Sequence, residues 1–147
     1  MNELADLYQE VILDHNRKPR NFKKLESATH EANGHNPLCG DRITVALDVQ
    51  DGVIKDVGFQ GAGCAISTAS ASLMTEALKE RRIADALALF DRFRELVTGG
   101  VPAQDLGKLE VFSGVSEYPA RVKCATLCWH TVVAALGEHR QDVVTTE

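Results

Sequence analysis

The chain has 147 residues, of which 44% are hydrophobic, and this is enough for one domain with a core rather than for two domains. Its 16 basic and 21 acidic residues give a net charge of −5, which lacks the basic surface typical of nucleic-acid-binding proteins. No apolar run reaches the roughly 20 residues needed to cross a bilayer, and the polar, acidic start differs from a signal peptide, so a cytoplasmic protein without a membrane partner is expected.

The first predicted element is an amphipathic helix at the start of the chain. Apolar residues recur there at intervals of three and four positions, namely Leu4, Leu7, Tyr8, Val11 and Ile12. The helix should end before Pro19, because proline cannot continue it. Basic residues cluster at and after its end: Arg17, Lys18, Arg20, Lys23 and Lys24. This basic segment is either a solvated loop or a docking surface for an acidic partner.

An antiparallel sheet is predicted after the basic segment. Apolar and polar residues alternate over 43–50, Asp51 and Gly52 predict a tight hairpin turn, and a second strand follows at 53–59. A third strand at 29–33 is a weaker prediction, because a glycine and a proline follow it closely.

Helices predominate in the second half of the chain. Helical patterns run over 65–78 and 83–97, and the stretch 101–119 reads as an irregular insertion with one helical turn. A last helix is predicted at 120–136. Strands followed by helices predict an α+β fold, in which a small antiparallel sheet of about three strands packs on helices.

The residues most informative about function are the four cysteines: Cys39, Cys64, Cys124 and Cys128. In a reducing cytoplasm a disulfide framework is not expected, which leaves metal ligation or thiol chemistry. No two of them have the Cys-x-x-Cys spacing of a zinc ribbon, so the local setting of each thiol has to indicate its role.

The first setting combines a thiol with a carboxylate. Cys39 lies in a turn just before the hairpin, and Asp41 follows it by two residues. Side chains at that spacing can bind one metal ion through a mixed sulfur and oxygen set. The alternative is that Asp41 only caps the turn.

The other thiols lie at predicted helix starts. Cys64 follows a glycine-rich turn, and the N–H groups and dipole of the helix that begins there favour a negative charge. Cys124 lies near the start of the last helix with two cationic neighbours, Arg121 and Lys123, which favour a thiolate. Cys128 lies one helical turn deeper and is expected to be a small core residue.

These settings belong to longer blocks of sequence that together are highly specific. The blocks are 8–15, 19–21, 36–41, 61–72 and 121–125. On these residues the chain resembles the IscU/NifU-like family of iron–sulfur cluster assembly proteins and, more closely, its SufU branch. The resemblance implies one IscU/SufE-like domain over residues 1–147, with an insertion at about 92–118 and a frayed tail at 141–147.

Membership of that family implies one metal or cluster site at the tip of the fold, with Cys39, Asp41, Cys64 and Cys124 as ligands. The IscU branch usually has a histidine directly before its third cysteine, where this chain has Lys123, and an ammonium group has no lone pair for a metal. The insertion and the lack of the IscU segment Leu-Pro-Pro-Val-Lys also favour the SufU branch. The site then needs the carboxylate as its fourth ligand.

The SufU resemblance implies a zinc protein that accepts persulfide sulfur from a SufS-like cysteine desulfurase and passes it to a downstream cluster assembly scaffold. Three thiolates and one carboxylate around zinc carry a net charge of about −2, which Arg121 and Lys123 are placed to offset. We expect Cys39 to leave the zinc when a desulfurase residue replaces it, and then to attack the persulfide as a thiolate.

The sequence leaves three alternatives. The same residues suit a scaffold on which a [2Fe–2S] cluster is assembled, with Cys39, Cys64 and Cys124 as cluster ligands. A structural zinc domain, in which the metal only stabilises the fold, predicts that loss of Cys39 unfolds the protein. A cysteine hydrolase, with Cys124 or Cys39 as nucleophile and a histidine as base, has no local signature in the sequence.

Overall fold

A computed structural model of the chain describes residues 3–37, 40–99, 106–137 and 144–145, with only the backbone described for 3–7 and 144–145. The elements follow one another as α1 (Glu3–Arg17), β1 (His30–Asn36), β2 (Asp41–Gln50), β3 (Val53–Ala62), α2 (Ala65–Leu78), α3 (Ile83–Val97), a 3₁₀ helix (Gly107–Glu117), α4 (Pro119–Leu136) and β4 (Val144–Thr145). The four α-helices agree with the sequence predictions to within a residue or two.

The strands form one four-stranded sheet in the order β3-β2-β1-β4. The first three strands in the chain are antiparallel neighbours, and β4 pairs in parallel with the outer edge of β1. Both residues of the hairpin turn have positive φ, 54° at Asp51 and 75° at Gly52, which suits a two-residue turn between antiparallel strands. The predicted α+β class and the predicted hairpin are confirmed.

One face of the sheet carries the core. Val45, Leu47 and Val57 are fully buried on it, and α2 and α4 pack against this layer. Helix α1 packs on α2, while α3 and the 3₁₀ helix pack on α4. Burial of these apolar side chains is the main favourable contribution to the stability of such a fold.

The strand register brings three chain segments together at one end of the sheet. Asn36 at the end of β1 lies opposite Asp41 at the start of β2, and Arg42 lies opposite Ala62 at the end of β3. Helix α2 begins directly afterwards, at Ala65. A side chain from each of these segments can therefore reach the same point.

Strand β1 is longer than the sequence predicts and continues through Gly34 to Asn36. Glycine suits this position because α4 lies directly against the strand. A methyl group on Gly34 would collide with Thr131 Oγ1 and would lie 3.1 Å from Leu127 Cδ1. The glycine that weakened the strand prediction is thus the residue that lets helix and sheet approach.

For residues 101–119 the sequence predicts an irregular insertion with one helical turn, and this prediction is wrong in the part of the stretch that is described. Residues 100–105 lie outside the described residues, but Gly107–Glu117 forms a 3₁₀ helix of 11 residues. Four buried apolar residues lie three positions apart, and Val111 is buried beside them: Leu106 just before the helix, then Leu109, Phe112 and Val115. Since a 3₁₀ helix has three residues per turn, they form one apolar stripe, which the two glycines obscured in the sequence.

The tail at 141–147, predicted to be frayed, has Val144–Thr145 in a short strand beside Gly34 and His35. The remainder of that tail lies outside the described residues. Among the helices that are described, none is both long and apolar enough to span a membrane.

The loop after α1 is fixed to α2 by hydrogen bonds. His15 is only 2% exposed, and its Nδ1 lies 2.7 Å from Ser72 Oγ, which also accepts the N–H of Arg20 at 2.8 Å. Asn21 Nδ2 donates to Thr75 Oγ1 at 2.9 Å. Burial lowers the pKa of His15 from its ordinary value, and the nearby Arg20 guanidinium lowers it further. The packing therefore favours the neutral imidazole.

Gly34→Ala should destabilise the fold by about 1–3 kcal/mol, because the added methyl group has to push α4 away from β1. Urea unfolding measures the change in the free energy of unfolding. Gly114→Ala is the control, since a Cβ at that position meets nothing within 4 Å. Equal stability of wild type and Gly34→Ala would show that α4 does not approach β1 so closely.

His15→Gln should alter how stability depends on pH. The pKa of His15 is lower in the folded state than the value of about 6.5 of the unfolded chain, so its contribution is present above that pH and is lost as the pH falls through the folded-state value. The stability difference between wild type and His15→Gln should be constant above about pH 7 and shrink below it. Urea unfolding at a series of pH values measures this, and a gap independent of pH would contradict the expectation.

Candidate metal centre

Three of the four predicted ligands converge at the end of the sheet. Asp41 begins β2, Cys64 caps the start of α2, and Cys124 lies within α4. One ligand atom from each lies within 4.8 Å of the others. Cys39, the fourth predicted ligand, lies outside the described residues, and the chain on either side of it is held by a hydrogen bond of 2.8 Å from Gly40 N to Asn36 O.

The Asp41 side chain is fully buried and is directed at the start of α2. Its Oδ1 accepts the N–H of Cys64 at 2.9 Å, and its Oδ2 lies 4.0 Å from Cys64 Sγ. A Cβ on Gly63 would come within 2.6 Å of Oδ1, so glycine leaves the space that the carboxylate occupies. The predicted alternative, a cap on the preceding turn, does not describe these contacts.

Cys64 occupies the N-cap of α2, as the sequence predicts. Its backbone is extended, with φ −71° and ψ 169°, and its sulfur accepts the N–H of Ser67 at 3.4 Å. Side-chain acceptors at an N-cap satisfy N–H groups that have no partner within the helix, and the dipole there stabilises negative charge. The half-buried sulfur therefore accepts an N–H group at the start of the helix.

Cys124 is fully buried in the interior of α4. The Asn36 side chain donates its Nδ2–H to the sulfur over 4.0 Å. Arg121 and Lys123, predicted to offset the charge of the site, form no ion pair among the residues that the structure describes. Arg121 is exposed to solvent.

Cys128 is separate from this cluster. It is 1% exposed, and its sulfur lies 3.5 Å from Ser70 Oγ. Burial raises the pKa of Cys128 to about 12, which keeps the thiol protonated at neutral pH. Its position agrees with the predicted role in the core.

The donor set suits zinc or an iron–sulfur cluster. In a tetrahedral zinc site, neighbouring ligand atoms are roughly 3.3–3.8 Å apart, so a small inward movement of these side chains would close the site. The two sulfurs are the ligands that select these metals over calcium or magnesium, which prefer oxygen ligands alone. The residues thus fit three corners of a tetrahedral site, and the fourth would come from Cys39.

A groove leads from the surface to Cys64. It has a volume of about 960 Å³ and lies between α1, the 3₁₀ helix and the starts of α2 and α4. Apolar side chains such as Ile12 and Val115 line it, and Arg121 lies at its edge. Cys64 is therefore one of the residues that line a groove open to the surface.

The sequence did not identify the residues that support the ligands. In the sequence, Asn36 belongs to the block 36–41, and Gly63 and Ser67 belong to the block 61–72, but no local pattern assigns them a contact with a ligand. The sequence around Asn36, which directly precedes a proline, does not predict that its side chain is buried. Its role is seen only in the contact that it makes with Cys124 across the fold.

The chain matches the family model of the NifU-like N-terminal domain over residues 7–125. It is 42% identical over 128 residues to the zinc-dependent sulfurtransferase SufU of Bacillus subtilis, with 86% of each chain covered. It is 39% identical over 138 residues to the iron–sulfur cluster assembly scaffold protein IscU of Streptococcus pyogenes, with 92% of this chain and 86% of the relative covered.

The similarity extends to solved structures. A SUF-system iron–sulfur cluster assembly scaffold protein from Fervidobacterium islandicum is 33% identical, with a TM-score of 0.84 over 90% of this chain and 98% of the other. The chain belongs to the NifU-like N-terminal domain family, which includes the IscU and SufU proteins. The predicted family and its fold are confirmed, and so is the resemblance to SufU.

Asp41→Asn should weaken zinc binding by roughly 10-fold or more, because it removes the negative charge while its oxygen can still accept the N–H of Cys64. Competition with a chromophoric chelator measures the affinity. Asp48→Asn on the same strand, outside the cluster, is the matched control. Zinc affinity that is unchanged in Asp41→Asn would exclude the carboxylate as a ligand.

Proposed function

We propose that the protein is a zinc-dependent sulfur acceptor in iron–sulfur cluster assembly. It takes sulfur from the persulfide of a cysteine desulfurase on Cys39 and passes it on for cluster biogenesis in the cytoplasm. The observation that carries this proposal is the cluster formed by the buried Asp41 and Cys124 with the half-buried Cys64, in which Asp41 follows Cys39 by two residues in the chain. The similarity to the Bacillus subtilis sulfurtransferase supports it.

In this proposal, Asp41, Cys64 and Cys124 hold the metal together with Cys39. When bound, zinc would favour the deprotonated form of the thiols that coordinate it. The chain itself supplies an N–H group to the Cys64 sulfur, from Ser67 at 3.4 Å. The two thiols and the carboxylate come from a strand, a helix start and a helix interior, whereas Cys39 lies in the short connection between β1 and β2.

The transfer step is a thiol–disulfide type of displacement. The Cys39 thiolate attacks the outer sulfur of the desulfurase persulfide, and a new sulfur–sulfur bond forms at Cys39. The bond between that sulfur and the desulfurase cysteine breaks, and the desulfurase cysteine leaves as a thiolate. No oxidant or reductant is consumed, because one sulfur–sulfur bond replaces another.

The basic segment at 17–24 is partly neutralised within the chain. Arg20 pairs with Asp14 at 2.7 Å, and Lys23 pairs with Asp56 at 3.1 Å. A charge reversal at either residue would therefore break an ion pair within the chain as well as any docking contact. If the segment helps to dock an acidic surface of the desulfurase, the exposed Lys18 and Lys24 are better candidates for testing it.

A second candidate function is a scaffold for a [2Fe–2S] cluster on the same residues. The sulfur donors favour it as much as they favour zinc, and the Streptococcus pyogenes relative is named as a scaffold. A cysteine hydrolase is disfavoured, because no histidine belongs to the ligand cluster among the described residues.

Cys39→Ser should abolish sulfur acceptance while the protein stays folded. The assay gives a cysteine desulfurase radiolabelled cysteine and measures the label carried by this protein on a non-reducing gel. We expect at least a roughly tenfold loss in Cys39→Ser, since a hydroxyl is a far weaker nucleophile than a thiolate. Cys128→Ser is the matched control and should be labelled like wild type, because that thiol is buried outside the cluster.

Three outcomes would overturn the proposal. Full labelling of Cys39→Ser would assign the acceptor role elsewhere. Unfolding of Cys39→Ser, seen by circular dichroism, would favour a structural zinc domain. Stoichiometric iron and sulfide in anaerobically purified wild type, with visible charge-transfer bands, would favour the scaffold.

A further inference from the structure

Among the described contacts, each member of the cluster accepts an N–H group. Asp41 receives it from the backbone of Cys64, and Cys64 receives it from the backbone of Ser67. Cys124 receives it from a side chain, the amide of Asn36. A backbone N–H group does not depend on which side chain its residue carries. Of these three donors, only the side-chain amide that reaches Cys124 depends on the type of residue at its position.

The position of Cys124 explains why its donor is a side chain. Within the interior of α4, backbone N–H groups are occupied by hydrogen bonds to the carbonyl groups one turn earlier. They cannot turn toward a sulfur, as the unpaired N–H groups at the start of α2 do toward Cys64. A donor to the Cys124 sulfur therefore has to come from another element.

Asn36 is placed to supply that donor. It ends β1 as the cross-strand neighbour of Asp41, and its side chain is fully buried beside the cluster. Its backbone oxygen already holds the loop by accepting the N–H of Gly40 at 2.8 Å, which any residue at this position would do. The amide side chain is therefore not needed for that loop contact, and burying it is favourable only where its polar atoms find partners.

We propose that Asn36 is a positioning residue for the metal centre, which orients the Cys124 sulfur and withdraws electron density from it through an N–H···S hydrogen bond. Such hydrogen bonds from surrounding residues tune both the affinity of a thiolate site and the energy of its metal–sulfur transitions. The inference rests on the proposed function only in so far as Cys124 binds a metal.

The experiment replaces zinc by cobalt(II), whose thiolate charge-transfer band reports directly on the sulfur ligands, and measures zinc affinity by chelator competition. Asn36→Ala and Asn36→Leu both lack the N–H donor but differ in volume, so a change common to both belongs to the donor. Asn33→Ala is the matched control on the same strand, because the Asn33 side chain is exposed and accepts from Thr44 Oγ1 at 2.6 Å.

We expect the charge-transfer band of both Asn36 variants to move to lower energy and their zinc affinity to fall roughly 10-fold, with no change in Asn33→Ala. A band and an affinity equal to those of wild type would overturn the inference. Unfolding of both Asn36 variants in the presence of zinc would also overturn it, since the residue would then serve the fold. Wild-type protein without a thiolate band would instead refute metal binding by the cluster, and with it the proposed function.

Discussion

The burial of a carboxylate beside two thiols is the constraint on which the rest of this structure depends. Asp41 is fully buried, and a carboxylate without partners in such a place is strongly unfavourable. The N–H of Cys64 supplies one partner at 2.9 Å, and the lack of a side chain at Gly63 leaves room for the carboxylate. In the proposed function a metal cation supplies the remaining compensation, which links the affinity of the site to the stability of this end of the fold.

The fold brings the ligands together in two different ways. Asp41 and Cys64 meet because a hairpin places the start of one strand beside the end of the next, which is a local consequence of the register. Cys124 arrives on α4, whose position depends on its close approach to β1 at Gly34 and on the stacking of Trp129 against Phe93 at 4.9 Å between ring centroids. A change in the packing of α4 therefore alters the site as well as the core.

The chemistry proposed for the protein depends on differences in burial and position among its thiols. Cys128 is enclosed in the core with its pKa raised to about 12, whereas Cys64 is half-buried at a helix start and faces a groove of about 960 Å³. In the sequence, Cys39 falls between the end of β1 at Asn36 and the start of β2 at Asp41. A ligand on a connection can exchange partners without disrupting a helix or a strand, which suits the acceptor role proposed for it.

The sequence by itself determined the four α-helices, the hairpin, the α+β class and the family, because periodicity and turn chemistry are encoded in neighbouring residues. Only the tertiary structure revealed the 3₁₀ helix, β4, the compensation of the basic segment by Asp14 and Asp56, and the hydrogen bond from Asn36 to Cys124. Those last two residues are 88 positions apart. Their contact is set by how α4 packs on the sheet, and no local pattern in the chain specifies a distance of that kind.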